Sequence, residues 1–403
     1  MQFKAKGMAA WPTIGGFVPA AAPPPQARPL VTFGFAPNPG SLVAKKFVPE
    51  GLPGAAPLVV VLHGCTQTPE DYDRGTGWTY LAARHGFAVL FAQQSQGNNM
   101  NRCFNWFEPG DMQRGAGEPA SIKAMIDTIV ADHAIDRTRI HITGLSAGAA
   151  MAGVMLATYP DLFAGGGLIA GLPYGVATSV PAALSRMRSR GGETDVQLGG
   201  LVQQASAHGG PWPTVSIWHG DADATVNAAN ATATVGQWRA VHGLDRAAPV
   251  EERMAGHTRR VWRDAAGRDC VEEYVIAGMG HGTPLDSGHP GNSETAGAYL
   301  IDVGLSSTLR LAASWGLIDG VSESAAAAVP QEPTAKVAPA KAMPAKVMAE
   351  AAPAEVAAPK VVGAGPVKMG PLKLGPLKIA PAKVRSNVEK VITDALKSAG
   401  LMR

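Results

Sequence analysis

The sequence predicts an α/β fold with a mostly parallel, doubly wound sheet, and three observations favour it. Segments with the apolar pattern of strands alternate with segments of helical periodicity, which indicates a parallel sheet covered on both faces. Residues 57–62 form a nearly continuous apolar run, typical of a strand buried on both sides. Residues 139–152 have the pattern of a buried strand, a sharp turn and a helix of small residues, with Ser146 at the tip of the turn.

Length and charge indicate a large main domain with appendages, or two domains. The chain has 403 residues, more than one domain usually contains, and we expect the main domain over residues 31–320. The net charge of +3 hides an asymmetry, because the segment from Ser324 onward has 12 basic and 5 acidic residues and the rest has 23 and 27. The main domain is therefore mildly acidic, and nothing in it indicates a nucleic-acid surface.

Cysteines and apolar runs limit the possible classes further. Three cysteines are too few for a disulfide scaffold and permit one bridge and one free thiol. No run of about 20 apolar residues predicts a transmembrane helix. Residues 1–30 are an Ala/Pro-rich leader, in which Trp, Pro and Gly interrupt any apolar stretch, so we expect no secretory signal there.

The first half of the main domain reads as a hairpin followed by alternating strands and helices. Residues 31–35 and 42–48 predict an antiparallel pair around a Pro-Asn-Pro-Gly turn. After the buried strand 57–62, the sequence predicts the following elements in order: a helix over 78–85, a strand over 87–92, a polar loop over 95–117 and an amphipathic helix over 118–133.

The second half is interrupted by one segment without strand pattern. Residues 171–212 are rich in Gly, Gln and Ser and could form a small cap or lid over a site. Around this segment, the sequence predicts strands over 165–170 and 213–218, a helix over 230–242, paired strands over 258–263 and 271–276, and mainly helix over 292–315.

Composition changes completely after the main domain. Residues 321–385 are dominated by Pro, Ala and Lys, with Gly-Pro-x-Lys units repeated every five residues, which predicts a disordered, extended linker. Residues 386–400 predict a short amphipathic helix. The basic tail could bind an anionic surface or a polymer granule, but a solvated linker with a frayed helix is the simpler interpretation, since isolated helices of this length are marginal.

The turn at Ser146 matches a known nucleophile motif. Gly144-Leu145-Ser146-Ala147-Gly148 fits Gly-x-Ser-x-Gly, the nucleophile elbow of the α/β-hydrolase fold. Side chains at the two glycine positions would collide with the neighbouring strand and helix. A serine hydroxyl is a weak nucleophile until a base removes its proton, so the motif requires a histidine and an acid elsewhere in the chain.

Candidates for the acid and the base follow in the order that this fold uses. Asp221 and Asp223 come after the strand at 213–218, and spacing alone does not choose between them. His281 follows the strand at 271–276, with flanking glycines that leave room for its imidazole. The other histidines considered are His219, which precedes the acid, His257, which lies between strands, and His289, which lacks the strand-then-loop position.

Two further groups of residues could serve the reaction. An oxyanion hole needs two backbone N–H donors, which Ala147 and either Cys65 or Thr66 could supply. Asn105 and Trp106 lie in a loop whose aromatic side chains would suit an ester substrate, although Trp106 could equally pack the loop. No metal or organic cofactor is implied, because no zinc-like His/Cys spacing occurs.

Four ordered motifs resemble those of the polyhydroxybutyrate depolymerase esterases, a family with feruloyl and acetylxylan esterase relatives. The resemblance covers roughly residues 40–315, and its motifs are 58–67 (LVVVLHGCTQ), 103–107 (CFNWF), 144–148 (GLSAG) and 218–226 (WHGDADATV). It implies a two-step hydrolysis of 3-hydroxyalkanoate polyester or its oligomers, with Ser146 as nucleophile, His281 as base and Asp223 as the acid.

The resemblance also bears on the disulfide, the compartment and the specificity. It implies a Cys65–Cys103 disulfide between two active-site loops, the alternative being two free buried thiols. Family members are often secreted, which agrees with a disulfide, whereas the leader favours a cytoplasmic protein. Many relatives have a tryptophan shortly after the catalytic histidine, where this chain has Gly-Thr-Pro-Leu at 282–285. The alternatives are therefore a feruloyl or acetylxylan esterase, or a granule-binding protein with secondary esterase activity.

Overall fold

A ten-stranded sheet runs through the centre of the protein, as seen in a computed structural model that describes residues 28–320 except 190, 245 and 255. The predicted leader up to residue 27, the linker and the terminal helix lie outside the described residues. The ten strands of the sheet are β1 (Val31–Phe33), β2 (Val43–Phe47), β3 (Ala56–Leu62), β4 (Ala88–Gln93), β5 (Ile135–Leu145), β6 (Gly165–Ile169), β7 (Thr214–Gly220), β8 (Val250–Met254), β9 (His257–Arg263) and β10 (Asp269–Ile276). A separate two-stranded sheet consists of β11 (Thr283–Leu285) and β12 (Leu300–Asp302).

Helices cover the sheet on both faces, each packed over an apolar layer of buried side chains. They are α1 (Pro69–Thr76), α2 (Trp78–His85), α3 (Gly117–Asp132), α4 (Ala147–Thr158), α5 (Val180–Arg188), α6 (Asp195–Gln204), α7 (Ala229–Val241) and α8 (Ser307–Ser314). No helix among residues 28–320 is both long and apolar enough to span a bilayer.

Strand order confirms the predicted α/β class. The strand order in the sheet is β1-β2-β4-β3-β5-β6-β7-β10-β9-β8. The six neighbouring strands β4, β3, β5, β6, β7 and β10 are parallel to one another. Every residue of β3 is buried, as the continuous apolar run predicted. The carboxyl ends of β3, β5, β7 and β10 lie at one edge of the sheet, which is where open α/β sheets bind ligands.

Most predicted elements are present with bounds within a few residues. The hairpin β1–β2 and the pair β9–β10 are antiparallel, as expected. The segment 171–212 has no strand but contains α5 and α6, which the sequence reasoning missed. Each begins with a capping side chain, since Ser179 accepts from the Ala182 N–H and Thr194 forms a capping box with Gln197. Helix α1 and strand β8 were also missed.

The prediction of a mainly helical segment over 292–315 is wrong. Only α8 is helical there, and residues 300–302 form β12, which pairs in parallel with β11. Tyr299 has a φ of 62°, which a helix cannot accommodate. The buried side chain of Glu294 is hydrogen-bonded to the Asp286 N–H and to the Ser306 hydroxyl, so side-chain contacts with residues outside the segment's own turn fix this loop.

Candidate active site

Ser146 occupies a strained turn between β5 and α4. Its φ of 57° and ψ of −117° are unusual for a residue with a side chain. The turn packs tightly against its surroundings, since a Cβ at Gly148 would lie 2.4 Å from the Leu62 carbonyl oxygen. A Cβ at Gly144 would lie 2.5 Å from the carbonyl carbon of Gly148. Glycine is therefore required at both positions, and the hydroxyl of Ser146 is presented at the carboxyl edge of the sheet.

In the structure, Ser146, His281 and Asp223 are connected by two consecutive hydrogen bonds. The Ser146 hydroxyl and His281 Nε2 are 2.9 Å apart, and His281 Nδ1 donates to Asp223 Oδ2 at 2.7 Å. His281 lies on the loop after β10, which approaches β7 so closely that a Cβ at Gly220 would be 2.1 Å from the Met279 carbonyl oxygen. The geometry is that of a serine activated by an imidazole, which is itself oriented by a carboxylate.

Asp223 is held as a carboxylate by several donors. Its Oδ1 accepts from the N–H groups of Thr225 and Val226 at 2.8 and 2.9 Å. Burial would raise the pKa of this carboxyl, but hydrogen bonds with His219 and His281 outweigh burial and hold the pKa well below its ordinary value. An ionised Asp223 fixes the Nδ1–H tautomer of His281 and leaves Nε2 free to accept the serine proton.

The other acid and base candidates have different partners. Asp221 Oδ1 accepts from the Gly278 N–H at 2.7 Å, so this residue braces the loop after β10. His257 contacts the Val303 carbonyl and the Ala277 N–H. His289 Nδ1 accepts from the Gly291 N–H in a turn. His219 lies against Asp223, with Nε2 3.2 Å from Oδ2, and donates to the Val226 carbonyl at 2.8 Å.

The backbone donors near Ser146 narrow the choice of an oxyanion hole. The Thr66 N–H donates to the Asn101 carbonyl at 2.7 Å, so Thr66 is not available as a donor and that expectation is corrected. Among the described residues, the N–H groups of Cys65 and Ala147 donate to no other group. Gln67 fixes the Cys65 loop, because its Oε1 accepts from the Gly64 N–H at 2.9 Å.

A disulfide joins Cys65 to Cys103, whereas Cys270 is a buried free thiol. The buried Gln94 holds the loop that carries Cys103, because its side-chain amide donates to the Cys103 carbonyl at 3.1 Å. The same amide donates to the buried Glu118 carboxylate. The bridge therefore connects the loop after β3 to a segment fixed on the protein interior.

Asn105 and Trp106 do not reach the cleft. Both side chains are buried, and Trp106 packs edge-on against Phe107. The Asn105 Oδ1 accepts from the Asn99 side chain, and its N–H donates to Glu118. The structure therefore corrects their expected role as substrate contacts, and the alternative that Trp106 packs the loop describes their position.

The cleft over Ser146 contains several residues that the sequence reasoning did not single out. It has a volume of about 40 Å³ and is lined in part by Gln67, Leu145, Met187, Thr225 and Tyr299. The Tyr299 ring lies edge-on to His281, with ring centroids 6.2 Å apart. Gln67, Leu145 and Thr225 lie within the motifs at 58–67, 144–148 and 218–226, although none of the three was proposed as a cleft residue. Met187 lies in the segment 171–212 and Tyr299 in the segment 292–315, and neither lies in one of the four motifs.

A family model and several named proteins match this chain. The family model described as "Esterase PHB depolymerase" matches residues 44–263, a stretch that includes Ser146 and Asp223. The chain is 48% identical over 286 residues to poly(3-hydroxyalkanoate) depolymerase C of Paucimonas lemoignei, a match that covers 70% of this chain and 69% of the relative.

More distant relatives share the fold and the general chemistry. Acetylxylan esterase A of Emericella nidulans is 29% identical over 258 residues, which are 61% of this chain and 82% of the relative. The solved acetyl xylan esterase from Aspergillus awamori superposes with a TM-score of 0.58 at 25% identity, over 63% of this chain and 94% of that structure. The family resemblance drawn from the four motifs is thus confirmed: the chain belongs to the polyhydroxybutyrate depolymerase family of esterases and is a carboxylic ester hydrolase of the α/β-hydrolase fold.

Proposed function

We propose that the protein is a serine esterase in which Ser146 attacks the ester carbonyl. The observation that carries this proposal is the line of hydrogen bonds from Ser146 through His281 to Asp223. His281 accepts the serine proton and returns it to the departing alcohol, while Asp223 stabilises the imidazolium. Water activated by His281 then attacks the acyl-enzyme, which releases the acid and restores Ser146.

The negative charge that develops on the carbonyl oxygen needs fixed donors. We assign this role to the backbone N–H groups of Cys65 and Ala147, since neither donates elsewhere among the described residues. Ala147 is the first residue of α4, so its N–H is one of the free amides at a helix N-terminus and the helix dipole favours the oxyanion. Such a donor typically contributes about 2.7–4 kcal/mol to the stability of the transition state.

For the substrate, we propose a poly(3-hydroxybutyrate)-type polyester or its oligomers. The relative named for this kind of activity, poly(3-hydroxyalkanoate) depolymerase C, is 48% identical, whereas feruloyl esterase B of Talaromyces funiculosus and acetylxylan esterase A of Emericella nidulans are 26% and 29% identical. A polyester of this kind is neutral and needs only the acyl transfer that the Ser146 site can provide.

The test compares wild type with Ser146→Ala on p-nitrophenyl butyrate and on amorphous poly(3-hydroxybutyrate). We expect wild type to hydrolyse both and Ser146→Ala to lose essentially all turnover. Ser185→Ala, on the exposed side of α5, is the matched control and should keep wild-type activity. Hydrolysis of neither ester by wild type, or full activity in Ser146→Ala, would contradict the proposal. Parallel assays with feruloyl and acetylated xylan substrates decide between the polyester and the plant-polymer alternatives.

For the segment beyond residue 320, we propose a spacer role in preference to a granule anchor, on its composition alone. Deletion of residues 324–403 followed by co-sedimentation with polymer particles separates the two roles. Unchanged sedimentation is the result expected of a spacer, and loss of sedimentation would identify an anchor.

We also propose that the protein acts outside the reducing cytoplasm, since the Cys65–Cys103 disulfide is stable in oxidising compartments. Mass measurement after alkylation in denaturant should show one modified cysteine before reduction and three after it. Three modified cysteines without reduction, in protein isolated directly from its native source under thiol-blocking conditions, would contradict an oxidised bridge.

A further inference from the structure

An open groove adjoins the cleft at Ser146. It has a volume of about 300 Å³ and is lined by residues 66–67, 71, 74–75 and 295–300. Thr66, Gln67 and Tyr299 line both the groove and the cleft, so the two spaces adjoin each other. The cleft itself has only about 40 Å³, whereas ligand pockets usually have about 300–1,000 Å³. The cleft can therefore hold the reacting ester, and the rest of a longer substrate must occupy neighbouring space.

Tyr299 identifies which side of the ester faces this groove. Its ring lies edge-on to His281, with centroids 6.2 Å apart. His281 has to deliver a proton to the departing alcohol oxygen, so the alcohol side of the substrate must lie next to this imidazole. Since Tyr299 lies beside His281 and lines both the cleft and the groove, a chain attached to the alcohol oxygen can extend into the groove.

The groove has the chemistry of a site for a neutral chain. Its charged residues, Asp71 and Arg74, neutralise each other in an ion pair at 3.1 Å. The wall at 295–298 consists of small exposed residues. Within the described part of the chain, the N–H groups of Ala296 and Ala298 donate to no other group, so they can bind ester carbonyls. A polyester interior offers only acceptors and small apolar groups, which matches this wall.

We propose that the groove is an alcohol-side subsite, which binds the hydroxyalkanoate units attached to the oxygen of the scissile ester. The inference rests on the proposed function and specifies where its polymeric substrate is bound. Gln67 couples this subsite to the reacting centre, because its side chain contacts both the Gly64 N–H and the Ala298 carbonyl. Binding energy gained in the groove is thereby available for orienting the ester in the cleft.

Two ester series test the subsite. In the first, the acyl group is always butyryl and the alcohol is methanol, methyl 3-hydroxybutyrate or the methyl ester of its dimer, with butyrate release as the readout. In the second, the alcohol is always methanol and the acyl part has one, two or three 3-hydroxybutyrate units, with methanol release as the readout. We expect kcat/KM in wild type to rise about tenfold or more along the first series, because remote binding energy is used at the reacting centre.

Ala296→Trp fills the groove, and Ala298→Phe is a second obstructing variant. We expect each to abolish the rise along the first series while the length dependence of the second series is kept. Ala265→Trp changes an exposed alanine in the β9–β10 turn and should behave as wild type in both series.

Equal rates along the first series in wild type would overturn the subsite and leave the esterase proposal intact. An equal loss for every ester in both groove variants, with wild-type thermal stability, would also overturn it. Hydrolysis of no ester in either series by wild type would instead contradict the proposed function itself, and the subsite with it.

Discussion

His219 Nε2 lies 3.2 Å from Asp223 Oδ2, the same oxygen that accepts from His281 Nδ1. His219 is buried and also donates to the carbonyl of Val226, the residue directly after Thr225, whose N–H donates to Asp223 Oδ1. The side chain of His219 therefore fixes both the carboxylate and the loop that carries it. His219 is a positioning residue, since it contacts the carboxylate and not the reacting atoms.

We predict that His219→Phe lowers kcat/KM about tenfold or more, because a hydrogen bond to a charged group contributes about 1.5–3 kcal/mol. The lost donor should also raise the pKa of Asp223 and move the acidic limb of the pH–rate profile upward. His219→Gln, which keeps a donor, should recover part of the activity. A variant with lower thermal stability but an unchanged pH profile and unchanged kcat/KM would show that His219 has only a structural role.

Substitution of asparagine for each of the two aspartates after β7 should have very different effects on kcat. Asp223→Asn can present its amide to His281 and favour the wrong tautomer, so we expect kcat to fall by about 10⁴. Asp221→Asn keeps an oxygen for the Gly278 N–H and should stay within a few-fold of wild type. Steady-state kinetics on p-nitrophenyl butyrate measure both. The reverse order of effects would assign the acid to Asp221.

Two glycines of α4 provide a matched test of the tight turn. Gly148→Ala puts a Cβ 2.4 Å from the Leu62 carbonyl oxygen, so we expect a loss of several kcal/mol in stability or failure to fold. Gly153→Ala meets nothing closer than Leu168 at 4.0 Å and should stabilise the helix by up to about 1 kcal/mol. Urea denaturation gives both values. Similar midpoints for the two variants would contradict the close approach.

The buried Glu294 predicts a pH-dependent stability. Burial raises its pKa from 4.5 to about 8, against the effect of its hydrogen bonds. The folded state therefore favours the protonated form, and its stabilising contribution is complete below pH 4.5 and is lost as the pH rises to about 8. In Glu294→Gln, the amide oxygen can accept from Asp286 and Asn292, and its NH₂ can donate to Ser306.

We expect wild type to lose stability relative to Glu294→Gln between pH 5 and 9, by on the order of a few kcal/mol. Thermal unfolding of both proteins across this range measures the difference. A constant difference at every pH would show that Glu294 does not titrate there. Activity on a methyl ester, followed in parallel, separates loss of the fold from changes at Ser146.

Much of the fold could be predicted because its signals are local. The apolar run of β3 identifies a strand buried on both faces, and the Gly-x-Ser-x-Gly turn identifies a strand–turn–helix unit. The short helices α1, α5 and α6 were missed although their capping residues were present, since eight to ten residues carry little periodicity. The error at 292–315 has the opposite cause: the segment has helix-forming residues, but distant contacts of Glu294 hold it in a loop.

The sequence by itself determined the order of serine, acid and histidine, because each follows a recognisable strand. Residue spacing left Asp221 and Asp223 open, and the family resemblance favoured Asp223. Only the tertiary structure shows that Asp223 is the one that contacts His281, because the loop after β10 packs against both aspartates. The tertiary structure likewise decided that the Thr66 N–H donates to the carbonyl of Asn101, which is 35 positions later in the chain. It also placed Tyr299 beside His281, which is 18 positions earlier. Local patterns specify elements, whereas the partner of each polar group depends on which distant segments the packed core brings together.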